Sequence, residues 1–352
     1  MPHIPAREAA RHLIAEALRL TDSTPNEDPI FISIDVEWGG FLPKDHSEYR
    51  KLTEIGLAIL DARDVRGIAP GRNVCNWMRK ARAKHFLAKG CEEIESDAVD
   101  NTGRPLYAAN NFEFGNSIIV EREALGEAVA KEMRIPDDDL NQQIREDEAQ
   151  SPRYRKVILV AQGWGNESKW LKDAVGLDVD AVGIEAIADT IRIHAETWDP
   201  KPGLTRMMEE YGCLVRYRHN GANDAVYTLA VLLIGALWRQ ALAGIQKGDW
   251  ELMNEVFPLC HIRGEEAIQA LKDAVTEEMG GRCTVCERYG HLEDGCEKNV
   301  DEDEQESEAS TIEQAMKEEG PSWIATAKML EIHMGGHAVV RLRTSAAPLK
   351  EQ

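Results

Sequence analysis

The sequence predicts an α/β domain, a sheet covered by helices. Two adjacent segments, PIFISIDVEW and TEIGLAILDA, are apolar and β-branched and read as neighbouring strands. Farther on, KVILVAQ is another short apolar strand, followed by a glycine-rich turn and a helix start. HNGANDAVYTLAVLLIGALWRQAL then reads as a long buried helix. Strands alternating with helices after an adjacent strand pair specify a sheet layered with helices.

In chain order, the first twenty residues read as an Ala-rich amphipathic helix carrying Glu8 and Glu16. Acids there argue against a transit peptide, and no signal peptide is expected. The polar TDSTPNEDP is a linker, so 1–27 is expected to be an N-terminal helix and linker. The main domain is expected over 28–247. After its strand pair come a candidate strand at 68–75, a basic helical piece from Arg79 to Lys89, and the strand-like FEFGNSIIV. EREALGEAVAKEM is a helix, and PDDDLNQQIREDEAQSPR a loop or exposed helix. Beyond KVILVAQ, IADTIRIHA is expected as a strand and GLTRMMEEYG as a short helix. A helical extension is expected over 248–279, a Cys/His segment over 280–298, and an acidic, largely disordered tail with one short apolar stretch over 299–352.

Composition narrows the partners. Sixty-two acids against 41 Lys and Arg give a formal net charge of −21, which excludes a general polyanion binder. Contact with nucleic acid then needs a local basic patch or bound metal. The apolar run Ala225–Trp238 is too short to span a bilayer, so no membrane partner is expected. The location is expected to be intracellular, cytoplasmic or nuclear. Seven cysteines should then stay reduced, and a cluster of them points to metal before disulfides.

Three short pieces carry carboxylates. In IDVEW, Asp35 and Glu37 share one face of a strand whose other residues are apolar, where a shared cation would relieve their repulsion. A strand end that simply reaches water is the alternative. In HNGANDA, His219 precedes Asp224 at the start of the long helix, where Asp224 alone would be an ordinary capping residue. In LVAQGWGNESKWL, Glu167 stands at a strand-to-helix junction, where the helix dipole alone would favour an acid.

In this order the pieces resemble the DEDDh-type 3′-5′ exonucleases of the ribonuclease H-like superfamily, close to a fungal family of ribonuclease H-like proteins, from about Pro29 to Ala241. The first motif, Asp-x-Glu, is matched by Asp35 and Glu37, and a Thr-Glu-Ile-Gly on the next strand by Thr53 to Gly56. The second motif is matched in position by Glu167, a later Asp-Thr pair by Asp189 and Thr190, and the His–Asp string by His219 to Ala225. Two positions depart from the pattern. Glu167 stands where the family usually has Asp, and Gln162 where it often has His.

The resemblance implies a ribonuclease H-like mixed five-stranded sheet flanked by helices, and hydrolysis of phosphodiester bonds in RNA or single-stranded DNA. It implies two Mg²⁺ or Mn²⁺ ions held by oxygen ligands. Asp35 would bridge both ions, Glu37 and Asp224 would complete the one holding the attacking water, and Glu167 would support the other. His219 would be the general base. The two departures leave open a catalytically inactive module that binds nucleic acid or protein.

Cys283, Cys286, His291 and Cys296 form C-x2-C-x4-H-x4-C, the spacing of a CCHC zinc knuckle and of one closed, structural Zn²⁺ site. Tyr289 is a candidate for stacking on a base, and Arg282 and Arg288 for meeting phosphate. Against this, acids surround the cluster and VDEDEQESEAS follows it, so a protein contact or plain structural zinc is the other reading. A zinc-organised adaptor whose acidic tail recruits basic partners is the third function class.

Overall fold

Strand β1 (Ile30–Trp38) pairs antiparallel with β2 (Leu52–Asp61) and parallel with β7 (Val157–Ala161). The computed structural model describes residues 7–20, 28–39, 42, 44–99, 105–137, 153–165, 167–179, 182–194, 202–284, 286, 288–292 and 296. Between β2 and β7 lie β3 (Arg82–Ala88), β4 (Glu95–Val99), β5 (Pro105–Tyr107) and β6 (Ser117–Val120), and β8 (Ile184–Asp189) follows β7. The main sheet has six strands in the order β6-β3-β2-β1-β7-β8, with only β2 antiparallel to β1 and β3; β4 and β5 form a separate pair. The mixed sheet flanked by helices expected from the sequence is present, with six strands rather than five.

The helices are α1 (Arg7–Ala17), α2 (Cys75–Met78), α3 (Leu125–Met133), α4 (Glu167–Val175), α5 (Thr190–His194), α6 (Leu204–Glu210), α7 (Gly221–Gln246), α8 (Glu251–Val256) and α9 (Gly264–Met279). Period-two alternation sorts β1 onto two cores. Ile30, Ile32, Ile34 and Val36 face a layer containing Leu125, Val129 and Met133 of α3 and Leu171 of α4. Phe31, with Ala58 and Leu60 of β2, faces the core built on α7. By length and composition α7 could cross a membrane. Here it is the central helix of the core, with Val226 to Leu233 buried.

Four expectations change. Within 79–89, Arg82–Ala88 form β3 rather than a helix, because Arg82 to Leu87 find backbone partners on β2. Pairing of this kind overrides local propensity. Residues 68–75 are not a strand; they lead into a short 3-10 turn, Arg72–Val74, and α2. Strand β8 stops at Asp189, and Thr190–His194 is helical. The extension beyond α7 is split into α8, a 3-10 turn at Pro258–Cys260, and α9. The chain divides into two units, Met1–Glu293 and Asp294–Gln352. The acidic run, the last apolar stretch and most of the polar segment after residue 137 lie outside the described residues.

Candidate active site and the Cys/His loop

On β1 the face turned to α7 runs Phe31, Ser33, Asp35, Glu37, changing from apolar to acidic toward the strand's end. The N-terminus of α7 arrives where the acids begin. Asp35 pairs with Gly56 in the sheet, and a Cβ on Gly56 would lie only 2.0–2.1 Å from backbone atoms of Gly221 and Ala222. A Cβ on Gly221 would in turn approach the Gly56 nitrogen at 3.2 Å and the Asp35 carbonyl oxygen at 3.3 Å. Two glycines thus let the helix start sit directly on the strand backbones.

The helix is capped by Asn220, whose side chain accepts from the Asn223 N–H, satisfying an otherwise orphaned donor. His219, just before the cap, has a left-handed φ of 60° and a half-exposed side chain. Its N–H donates to Asp224 Oδ2 at 3.1 Å, and its Nδ1 lies 3.6 Å from Glu37 Oε1. Glu37, His219 and Asp224 each bring one ligand atom within 4.8 Å of the other two. Burial first, and then the Glu37 charge, pushes the Asp224 carboxyl up to about 7. Its Oδ1 is buried with no hydrogen-bond partner among the described residues.

Asp35 is half-buried on the same strand face, outside this three-residue group. Glu167 is the first residue of α4, as the sequence predicts for a strand-to-helix junction. Its side chain lies outside those described. The turn that presents it is tied down by the Asp-Thr pair. Asp189 Oδ1 accepts from Gly163 N at 3.3 Å and from Ile191 N at 3.0 Å, and the Thr190 hydroxyl donates to the Ala161 carbonyl at 3.2 Å. Gln162, between those anchors, has a buried Oε1 without a partner among the described residues.

The family described as DEDDh_C, DNA polymerase III subunit epsilon-like, C-terminal domain, matches residues 30–234 of this sequence, more than half of it. The chain belongs to this DEDDh family.

Solved structures are similar at low identity. A 3′-exonuclease in a structure of 3′-end-specific recognition of histone mRNA stem-loop is 12% identical, with 64% of this chain and 84% of that one covered and a TM-score of 0.31. The nuclease domain of 3′hExo, a DEDDh family member bound to rAMP, is 13% identical over 63% and 94%, at 0.28. S. pombe Pop2p in its Mg²⁺- and Mn²⁺-bound form is 11% identical over 73% and 98%, at 0.33. Scores this low leave the family match as the basis of the assignment. No curated protein matches the chain.

Sequence reasoning gave no role to several residues that hold the start of α7 against the strands. Glu54, opposite Glu37 in the β1–β2 register, accepts from the Gly221 N–H at 3.3 Å and lies 2.8 Å from His85 Nε2. His85 Nδ1 lies 2.8 Å from the Ser117 hydroxyl, which donates to the Ala109 carbonyl. Asn220 Nδ2 donates to the Ala108 carbonyl and Asn223 Nδ2 to the Asn111 carbonyl, while Asn223 Oδ1 accepts from Glu113 N. The first turn of α7 is thereby fastened to β2, β3 and the 108–113 segment. The signal for Glu54 lay in the Thr-Glu-Ile-Gly string; for the asparagines no sequence signal separated them from capping residues.

In the Cys/His loop, Arg282 and Tyr289 form an antiparallel bridge, and Cys283 N donates to the Arg288 carbonyl at 2.9 Å. Cys283, Cys286 and His291 bring ligand atoms within 4.8 Å of one another, with Cys286 Sγ 3.1 Å from His291 Nε2. Cys296, the fourth residue of the C-x2-C-x4-H-x4-C pattern in the sequence, belongs to the second unit. Soft thiolates and one imidazole suit Zn²⁺, whose bonds of about 2.0–2.3 Å place neighbouring ligands about 3–4 Å apart. The expected stacking role of Tyr289 does not hold. Its side chain is buried, its hydroxyl donates to the Glu113 carbonyl at 2.7 Å, and Arg282 lies over its ring. Arg282 also donates to the Phe112 carbonyl, and Arg288 is exposed.

Proposed function

We propose that this chain is a metal-dependent exonuclease that hydrolyses phosphodiester bonds from the 3′ end of RNA or single-stranded DNA. The observation that carries the proposal is the meeting of Glu37, His219 and Asp224 at the acidic end of β1, with a buried Asp224 oxygen that no described protein donor satisfies. An all-carboxylate oxygen set fits hard divalent cations. Asp35, Glu37, Asp224 and Glu167 are the residues that would hold two Mg²⁺ or Mn²⁺ ions, and those ions supply an activated water and neutralise charge on the reacting phosphate.

His219 accepts the proton from the attacking water. Its exposed ring reaches solvent and incoming substrate, while Glu37 beside it orients the ring. Glu54 and Asn220 hold the α7 start, so that His219 and Asp224 keep their spacing. Cys283, Cys286, His291 and Cys296 bind one structural Zn²⁺. An intracellular location, cytoplasmic or nuclear, fits a site whose thiols must stay reduced. The likeness of His219 to Ala225 to a fungal ribonuclease H-like family, and recruitment of a protein partner by the acidic tail, belong to the same reading.

The test is degradation of 5′-labelled RNA and DNA with Mg²⁺ or Mn²⁺. Asp35→Ala should abolish it. His219→Ala should slow it about a hundredfold or more while leaving metal affinity largely intact. Glu167→Asp should preserve or raise it by restoring the family's usual reach. Wild type and Glu167→Asp both inert, with binding surviving Asp35→Ala, would identify an inactive binding module. Activity undiminished in Asp35→Ala would place the chemistry elsewhere.

A further inference from the structure

The segment Arg216-Tyr217-Arg218 leads directly into His219, and its backbone is pinned to the first two turns of α7. Arg216 N donates to the Tyr227 hydroxyl at 3.2 Å, and that oxygen also lies 3.3 Å from the Arg216 carbonyl. The Tyr217 carbonyl accepts from Asn223 Nδ2 at 3.5 Å, and His219 N donates to Asp224. Tyr217 and His219 both take left-handed φ values, 47° and 60°. These are costly for residues with a Cβ and persist where surrounding bonds impose them. The result is a rail with a fixed backbone and two outward guanidiniums, since Arg216 and Arg218 are both exposed.

Many of the described arginines are held by carboxylates. Arg155 is tied to Asp61, Arg19 to Asp28, Arg79 to Glu277 and Arg263 to Glu266. Neither Arg216 nor Arg218 has a carboxylate within 4.0 Å among the described residues, in a chain whose net charge is −21. Screening confines surface electrostatics to about 10 Å, so what a bound strand feels is this local pair rather than the net charge. The Arg218 Cα lies one peptide, about 3.8 Å, from that of His219. Flexible guanidiniums on that rail reach the phosphates flanking the one beside His219, and guanidinium donors match phosphate oxygens two at a time.

We propose that Arg216 and Arg218 form a phosphate-binding rail for single-stranded nucleic acid. It grips the backbone next to the linkage at His219 and is indifferent to base identity. This rests on the nuclease reading of the same site. The probe is a single-stranded oligonucleotide, as RNA and as DNA, with phosphorothioate linkages at its 3′ end to slow cleavage. Binding is followed by fluorescence anisotropy across a salt series, and KM and kcat are measured on the unmodified strand.

Arg216→Ala/Arg218→Ala should weaken binding about tenfold. It should flatten the salt slope by about 1.4, the value for two phosphate contacts on a single strand. KM should rise with little change in kcat, and Arg216→Lys/Arg218→Lys should keep most of the salt slope, since charge is retained. An alanine pair with wild-type affinity, slope and KM would overturn the rail while leaving the nuclease proposal standing. A wild type that does not cleave but binds with the Arg-dependent slope would support the rail and overturn the nuclease. A wild type that neither binds nor cleaves would overturn both. An alanine pair that melts as wild type does excludes misfolding as the cause of a loss.

Discussion

Asp224 is a carboxylate placed where water cannot reach one of its oxygens and where Glu37 repels it. In the metal-free protein this has a definite pH signature. Well below pH 4 both folded and unfolded chains hold the proton on this group, and it contributes nothing to stability. As pH rises toward 7 the unfolded chain releases the proton while the folded chain, with its carboxyl pushed up to about 7, keeps it. The unfolded state then binds fewer protons, so stability falls across that window and stays low above it. Asp224→Asn removes the loss. Melting of metal-free protein at about pH 5 and about pH 8 should show wild type losing on the order of 2–4 kcal/mol more than the variant. Adding Mn²⁺ at the higher pH should raise the wild-type melting temperature and leave that of Asp224→Asn unmoved. Parallel pH profiles for the two proteins, or equal responses to the ion, would separate Asp224 from any cation site. His85, a buried imidazole between Glu54 and Ser117, braces β3 against β2 and β6.

At the scale of elements, the site exists because α7 lands on β1 and β2 with no side chain between. Gly56→Ala should force the helix start away from the strands, since the new methyl would sit about 2 Å from the Gly221 and Ala222 backbone. We expect a loss of about 3 kcal/mol, the upper range for overpacking, and activity reduced by more than stability alone accounts for. Thermal melting together with kcat checks this, and an active, equally stable Gly56→Ala would show that the close approach is not needed. The elements that make this junction were legible in the sequence. Phe31, Ile32 and Ile34 are β-branched or aromatic on a buried strand, and the Asn220-to-Asp224 cap precedes a long apolar run. What was not legible depends on partners distant in sequence. Arg82 to Leu87 has a mixed pattern that fits a basic helix locally and becomes β3 only beside β2. IADTIRIHA hides a helix start because Asp189 caps Thr190–His194 after ending β8. For the site, the strand spacing and the His–Asp string gave Glu37, His219 and Asp224. The brace from Glu54 to Gly221 needed the β1–β2 register and the helix landing together.

Across the whole first unit, the Cys/His loop is joined to α7 through a continuous set of contacts. Tyr289 packs in the same core as α7, its N–H donates to Asn116 Oδ1 at 2.8 Å, and its hydroxyl holds the Glu113 carbonyl. The Glu113 carboxylate meets Lys272 of α9 at 2.5 Å and the Tyr227 hydroxyl at 3.3 Å, and Tyr227 stands on α7 within a turn of Asp224. A Cys/His loop packed this way acts on the domain's stability, whereas a loop that made no such contacts would leave it unchanged. Protein purified without chelator should carry about one Zn²⁺ per chain, and removing it or introducing Cys286→Ser should lower the protein's melting temperature by several degrees. Tyr289→Phe should keep the zinc yet cost about 1 kcal/mol, since it removes one buried hydrogen bond while leaving the ring in place. Zinc loss that leaves the melting temperature and nuclease rate unchanged would show that the loop is an independent appendage, and wild type without zinc would remove the metal from this account.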